Sequence, residues 1–120
     1  MTEVINMFYM ASKFNQSFKN WDFSSITSAS KMINFLSDSG INMNNYLTFL
    51  ENLNTNSYVF TGNINLLNIY RPVAGNSIID KLSENKNINI TDKGNVTLTL
   101  KVDDSYKNLG EQDPEFTITA

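Results

Sequence analysis

The stretch MFYMASKFNQSFKNWDFSSIT, Met7 to Thr27, decides how this chain is read. Just before and within it, Val4, Met7, Phe8, Met10 and Ala11 recur at helical spacing, which predicts a helix over residues 4–11. Trp21-Asp22-Phe23-Ser24 alternates apolar with polar, which predicts a short strand. A polar connection anchored by two rings, Phe14-Asn15-Gln16-Ser17-Phe18, joins them. Such a unit is too small to bury its apolar face alone, so it is expected to stack on neighbours.

A second copy of the pattern follows. Residues 1–8 line up with residues 26–33 at an offset of 25, with Thr2 over Thr27 and Met7 over Met32. That period falls within the range of stacked repeats. Met7, Met10 and Met32 read as core on this alignment.

Outward from the repeat, three more helices are expected. The first covers residues 29–36, started by Thr27 or Ser28 and stopped at Ser37-Asp38-Ser39-Gly40. The next covers residues 46–53 after Asn44-Asn45, with Tyr46, Leu47, Phe49, Leu50 and Leu53 as its apolar stripe. The last covers residues 78–84, capped by Asn76 or Ser77, with Ile78, Ile79 and Leu82 inward. Residues 58–60 read as a buried strand, residues 63–70 as extended chain, and Ile88 and Ile90 as the inner positions of another strand. Leu50, Leu53, Phe60, Ile79, Leu82 and Ile90 are expected in one core. Strict alternation returns in residues 96–102 and again in residues 116–119. A boundary at Gly94 therefore divides residues 1–94, the repeats and their cap, from residues 95–120, a linker strand and the start of a β module. Two strands are marginal alone, so the chain beyond Asp103 is expected to be poorly ordered or to pair with another chain.

Composition narrows the function. The 120 residues carry a net charge of −3, and the nine basic residues are scattered, which argues against a phosphate-binding surface and nucleic acid. The absence of Cys and His excludes the usual zinc sites, thiol chemistry and a Ser-His-Asp triad. No spacing forces two carboxylates together, so no acid–base pair and no enzyme activity are expected, and no cofactor is called for. The apolar runs are too short to insert into a membrane. Residues 1–3 do not open a signal peptide, so an exported parent protein would hold this chain as a piece. Nineteen asparagines supply much of the polarity. They fit two readings that can coexist: an AT-rich coding sequence, and turns whose backbone the Asn amide satisfies.

Phe14-Asn15-Gln16, Trp21-Asp22 and Ile26-Thr27, with Met7-Phe8 and Ala11, resemble the repeat of the BspA-like leucine-rich-repeat surface proteins of bacteria. Phe23 and Ile26 stand where that repeat has Val. Gly40-Ile41, Asn45-Tyr46 and Ile88-Asn89-Ile90-Thr91-Asp92-Lys93-Gly94 resemble the cap that follows its last repeat, with Asn87 or Ile88 where Trp is usual. The resemblance implies an α/β fold, the end of a short right-handed βα solenoid of leucine-rich-repeat type with a C-terminal cap. It also implies display on the cell surface or secretion. Gly110, Asp113-Pro114 and Thr117 are similar to the opening of MBG modules, extracellular β-sandwich repeats, with Leu109 where Tyr is usual. Residue 120 then falls inside that module, and is expected to mark a cut or an incomplete gene model.

Two functional readings follow. In one, the chain is a non-enzymatic interaction module, adhesin-like, binding a protein of the host matrix or of another bacterial surface. In the other it is a structural cap and spacer between repeats and stalk modules. Tyr70-Arg71, an aromatic–basic pair before Pro72, is the candidate recognition loop. Trp21 reads as a sugar-stacking platform or as packing between units, and its alternation with Phe23 favours packing. Asp22 reads as a ligand contact or as a turn residue. Asp103, Asp104 and Asp113 lack EF-hand spacing and read as a solvated acidic hinge. The N-terminal unit is expected to leave part of Val4, Phe8, Phe14, Trp21 and Phe23 open, a face suited to homo-association about a two-fold axis.

Overall fold

The computed structural model describes residues 2–96. Those residues have mixed helix and strand content, an α/β arrangement with two short parallel strands. In chain order they form a 3-10 turn at Ala29–Met32, helix α1 at Met43–Thr55, strand β1 at Gly62–Asn65, a 3-10 turn at Val73–Gly75, helix α2 at Asn76–Lys86 and strand β2 at Ile88–Thr91. β1 and β2 are paired from Gly62 with Ile88 to Asn65 with Thr91. The expected strand over residues 96–102 after its first residue, the expected strand over 116–119, the module at 95–120 beyond residue 96, and Asp103, Asp104 and Asp113 lie outside the described residues.

Residues 4–11 are not a helix. They form linked β-turns, closed by Met7 N–H to Val4, Tyr9 N–H to Asn6 and Ala11 N–H to Phe8. The alternate amides of Val4, Asn6, Phe8 and Met10 point sideways instead, to the carbonyls of Lys31, Ile33, Phe35 and Ser37 at 2.8–3.0 Å. A helix would need those amides for its own i−4 carbonyls. Asn6 and Met10 adopt left-handed backbone, φ 57° and 59°, which also ends helical propagation. The same turns recur in residues 32–39, with Asn34 and Asp38 left-handed. The expected helix over 29–36 therefore shrinks to the 3-10 turn at Ala29–Met32, with Ser28 as its cap, accepting from Ser30 N–H.

This pairing also corrects the repeat offset. Asn6 matches Asn34 and Met10 matches Asp38, each pair 28 residues apart, so Met7 does not sit over Met32. Met32 is buried, whereas Met7 and Met10 are 43% and 65% exposed. Register here is set by which residues take the left-handed turn position, and side-chain hydropathy is blind to that. The left-handed position continues at Asn68 and Gly94, φ 60° and 77°. Hydrogen bonds link the successive tiers: Asp38 N–H to Leu67, Gly62 N–H to Asn87 and Leu66 N–H to Thr91.

Residues 21–24 alternate in burial as expected but form no strand. Their neighbourhood spends its amides locally: Trp21 N–H bonds Phe18, Ile26 N–H bonds Phe23, and Ser24 N–H bonds the Asp22 carboxylate at 2.9 Å. Helix α1 satisfies what remains. Phe18 N–H donates to Thr48 Oγ1, and the buried Asn52 donates to the carbonyls of Phe18 and Trp21 at 2.8 and 2.7 Å. Asn52 thus stands in for a strand partner, and it also accepts from the Tyr58 hydroxyl at 2.6 Å.

α1 begins three residues earlier than expected because Asn42 is the cap, its side chain accepting from Asn45 N–H. Tyr46, Phe49, Leu50 and Leu53 are buried, and Leu47 is half-buried. α2 begins at Asn76 with Gly75 as its cap and ends at left-handed Asn87. Leu82 is its fully buried residue; Ile78 and Ile79 lie partly buried against the core. The expected strand at 58–60 is displaced to β1, leaving Phe60 buried and Val59 74% exposed. All six expected core residues belong to one apolar cluster, Ile79 and Ile90 at its margin.

Leu82→Ala is expected to destabilise by about 2 to 4 kcal/mol, since its side chain is fully enclosed and α1 and β2 leave little room to collapse. Urea unfolding checks this: an unchanged midpoint would show that α2 contributes no packing.

Candidate functional site

Tyr70 and Arg71 leave the third tier just after Ile69, and they serve different ends. Tyr70 is 40% exposed, with the Lys93 ammonium 5.2 Å from its ring centre. The same Lys93 Nζ reaches Asn68 Oδ1 at 3.4 Å, and Asn68 Nδ2 donates to the Asp38 carboxylate. Asp38, Asn68, Lys93 and Tyr70 therefore make a small polar surface on the turn column, with the exposed Leu67 beside it in sequence.

Arg71 turns inward. Its guanidinium lies 3.5 Å from Asp92, whose side chain is 2% exposed. Its N–H donates to the Gly94 carbonyl, and its own carbonyl accepts from Asn95 Nδ2 at 2.8 Å. Asp92 is the hub. One carboxylate oxygen accepts from the Tyr46 hydroxyl at 2.7 Å, and the other accepts from Gly94 N–H at 2.8 Å and faces Arg71. The cluster ties α1 to the last tier and holds the exit from β2. Neither Asp92 nor Tyr46 was singled out as paired from the sequence. The Asp92-Lys93-Gly94 turn was the available signal, because an Asp two residues before a left-handed Gly commonly bonds that Gly's amide.

Burial, with the bond to Asp92 second, pushes the Tyr46 phenol well above its ordinary range. The unfolded chain releases this proton near pH 10. Tyr46's contribution is therefore fully present below about pH 10 and falls as pH rises further toward the folded-state value. Thermal melting from pH 8 to 11 should show a steeper alkaline loss for the wild type than for Tyr46→Phe. Equal slopes would refute a buried, bonded phenol.

The remaining candidates resolve by geometry. Trp21 is half-buried, its ring packed against Phe8, Phe18, Phe23 and Phe35 at 4.8–6.2 Å, which is a packing role. Asp22 is exposed and its carboxyl is held below the usual range by the backbone and side-chain hydrogen bonds of Ser24, so it is a turn residue. Val4 and Phe23 are buried, which corrects their place on the open N-terminal face; Phe8, Phe14 and Trp21 remain half-buried there. An open polar hollow of about 370 Å³ lies between Ser57, Tyr58, Asn85, Lys86 and Asn87. Its Lys86 ammonium is already bonded to the carbonyls of Leu53 and Asn56, at the end of α1. Among the described residues no three acidic side chains gather as metal ligands, and no helix is long and apolar enough to cross a membrane. No protein-family model, characterised protein or solved structure matches this chain.

Proposed function

We propose that this chain is a non-enzymatic interaction module of a bacterial surface protein, the end of a right-handed βα solenoid of leucine-rich-repeat type closed by a C-terminal cap. Its partner is a protein of the host matrix or of another bacterial surface. The observation that carries this reading is a set of exposed apolar side chains on successive turns. Ile5, Met7, Tyr9 and Met10 on the first tier, Ile33 on the second and Leu67 on the third are 38–65% exposed. Large apolar side chains left exposed are candidate contact residues where they adjoin. The tier spacing, the recurring left-handed position and the parallel β1–α2–β2 unit support the solenoid part of the reading. The BspA-like motif supports its surface location.

The spacer reading is favoured by one fact: Arg71, half of the candidate recognition pair, is committed to Asp92. Capture of purified matrix proteins by this chain, by a Met7→Ser/Tyr9→Ser variant and by a longer repeat array separates the two. Capture by the chain, lost in the variant, supports the interaction module. Capture by the longer array alone supports the spacer.

A further inference from the structure

The C-terminal ends of α1 and α2 meet at the open hollow of about 370 Å³ between Ser57, Tyr58, Asn85, Lys86 and Asn87. Its size falls within the range of small-molecule sites, which begins at about 300 Å³. Helix C-termini carry partial negative charge, but here several of their carbonyls are answered from within the fold. Lys86 Nζ donates to Asn56 O at 2.6 Å and to Leu53 O at 3.4 Å. Asn56 N–H donates to Asn52, and Asn87 N–H to Leu82. The ammonium has three donors, and these bonds use two of them. Among the described residues no carboxylate pairs with it, and none of the five lining residues is acidic. The hollow therefore carries a full positive charge without a counter-charge in its wall.

The rest of the wall is neutral and polar. Ser57, Asn85 and Asn87 are exposed, and among the described residues their side chains bond to no other group. Each Asn amide offers a donor and an acceptor, the pairing that adjacent ring hydroxyls need. Tyr58 is fixed in place: its hydroxyl donates to Asn52 Oδ1 at 2.6 Å, and its ring lies 6.0 and 5.6 Å from those of Phe23 and Phe60.

We infer that this hollow binds an acidic sugar, a ring that bears hydroxyls and one carboxylate. The carboxylate takes the remaining N–H of Lys86, a charge-assisted bond. The hydroxyls take Asn85, Asn87 and Ser57, and Tyr58 is the apolar wall. A bare anion leaves the amides idle, and a neutral sugar leaves the ammonium unpaired. The inference goes beyond the interaction reading above, since it concerns another site and a small ligand.

Glucuronate, glucose and acetate are titrated separately into the ¹⁵N-labelled whole chain. Saturable amide shifts centred on residues 57–58 and 85–87 are expected with glucuronate. Glucose lacks the carboxylate and acetate the hydroxyls, so each should bind at least about fivefold more weakly, the effect of roughly one lost net hydrogen bond. Asn85→Ala should weaken glucuronate binding at least about threefold, a fraction of one such bond, with an unchanged melting midpoint. Lys86→Met should erase the preference for glucuronate over glucose. That variant also loses two bonds to the end of α1, so Asn85→Ala is the control that keeps the fold intact. No saturable shift with glucuronate, acetate binding as tightly as glucuronate, full affinity in Asn85→Ala, or a preference that survives Lys86→Met would each overturn the inference. Matrix protein is absent from the assay, so this claim and the interaction reading can fail separately.

Discussion

Phe18→Ala should lower stability by about 3 to 5 kcal/mol, the range for truncating an enclosed aromatic side chain. Phe18 is fully buried, and its ring meets those of Phe8, Phe14, Trp21, Phe23, Phe35 and Phe49 at 4.8–6.3 Å between centres. Those rings come from the first tier, the connection, the second tier and α1. None of them can follow the lost ring without leaving another partner, so the cavity stays open. Phe18→Leu should recover more than half of the loss because it refills most of the volume. Urea denaturation measures both. A loss below about 1 kcal/mol for Phe18→Ala would mean that the ring cluster relaxes freely, contrary to close packing.

Asp92→Ala should cost a similar amount, about 3 to 5 kcal/mol, for a different reason. The side chain is 2% exposed and serves three groups: the Tyr46 hydroxyl, the Gly94 amide and the Arg71 guanidinium. Removing it strands a buried phenol and leaves Arg71, 18% exposed, without its counter-charge. Among the described residues Arg71 Nε has no hydrogen-bond partner, and the ion pair with Asp92 is the compensation they offer its charge. Asp92→Asn should be milder, since the amide still accepts from Gly94 or Tyr46 while losing the charge. The double variant Asp92→Asn/Arg71→Met should be more stable than Asp92→Asn alone, because it removes the uncompensated cation. A double variant no more stable than the single one would show that Arg71 is solvated and that the pair is a surface contact.

Patterning along the chain identified what goes inside. Tyr46, Phe49, Leu50, Leu53, Phe60 and Leu82 are buried, and both α-helices stand at the expected places. Long periodic segments depend on burial of one face, and hydropathy reports that directly. The first tier was misread for the converse reason. Val4, Phe8 and Ala11 have helical spacing, yet consecutive turns also bring every fourth residue to one side. Spacing therefore leaves the two conformations equal, and the neighbouring tier decides between them by accepting the alternate amides.

Of the candidate site, Tyr70 was legible as an exposed aromatic beside a basic residue. Arg71's commitment was hidden because its partner lies 21 positions later, and both are brought together only when β2 returns beside β1. The asparagines show the same division. Their turn propensity pointed to bends in general, while the left-handed positions Asn6, Asn34 and Asn68 fell inside segments expected as helix or extended chain. The role of Asn52 as substitute strand partner for residues 18–21 depends on where α1 docks. Local sequence by itself determined the elements whose stability comes from their own periodicity and caps, α1 and α2. Tertiary structure alone decided the 28-residue register, the turns in place of the first helix, and the Tyr46–Asp92–Arg71 cluster. Each of these rests on hydrogen bonds between groups distant in sequence, and such bonds leave no periodic trace along a single segment.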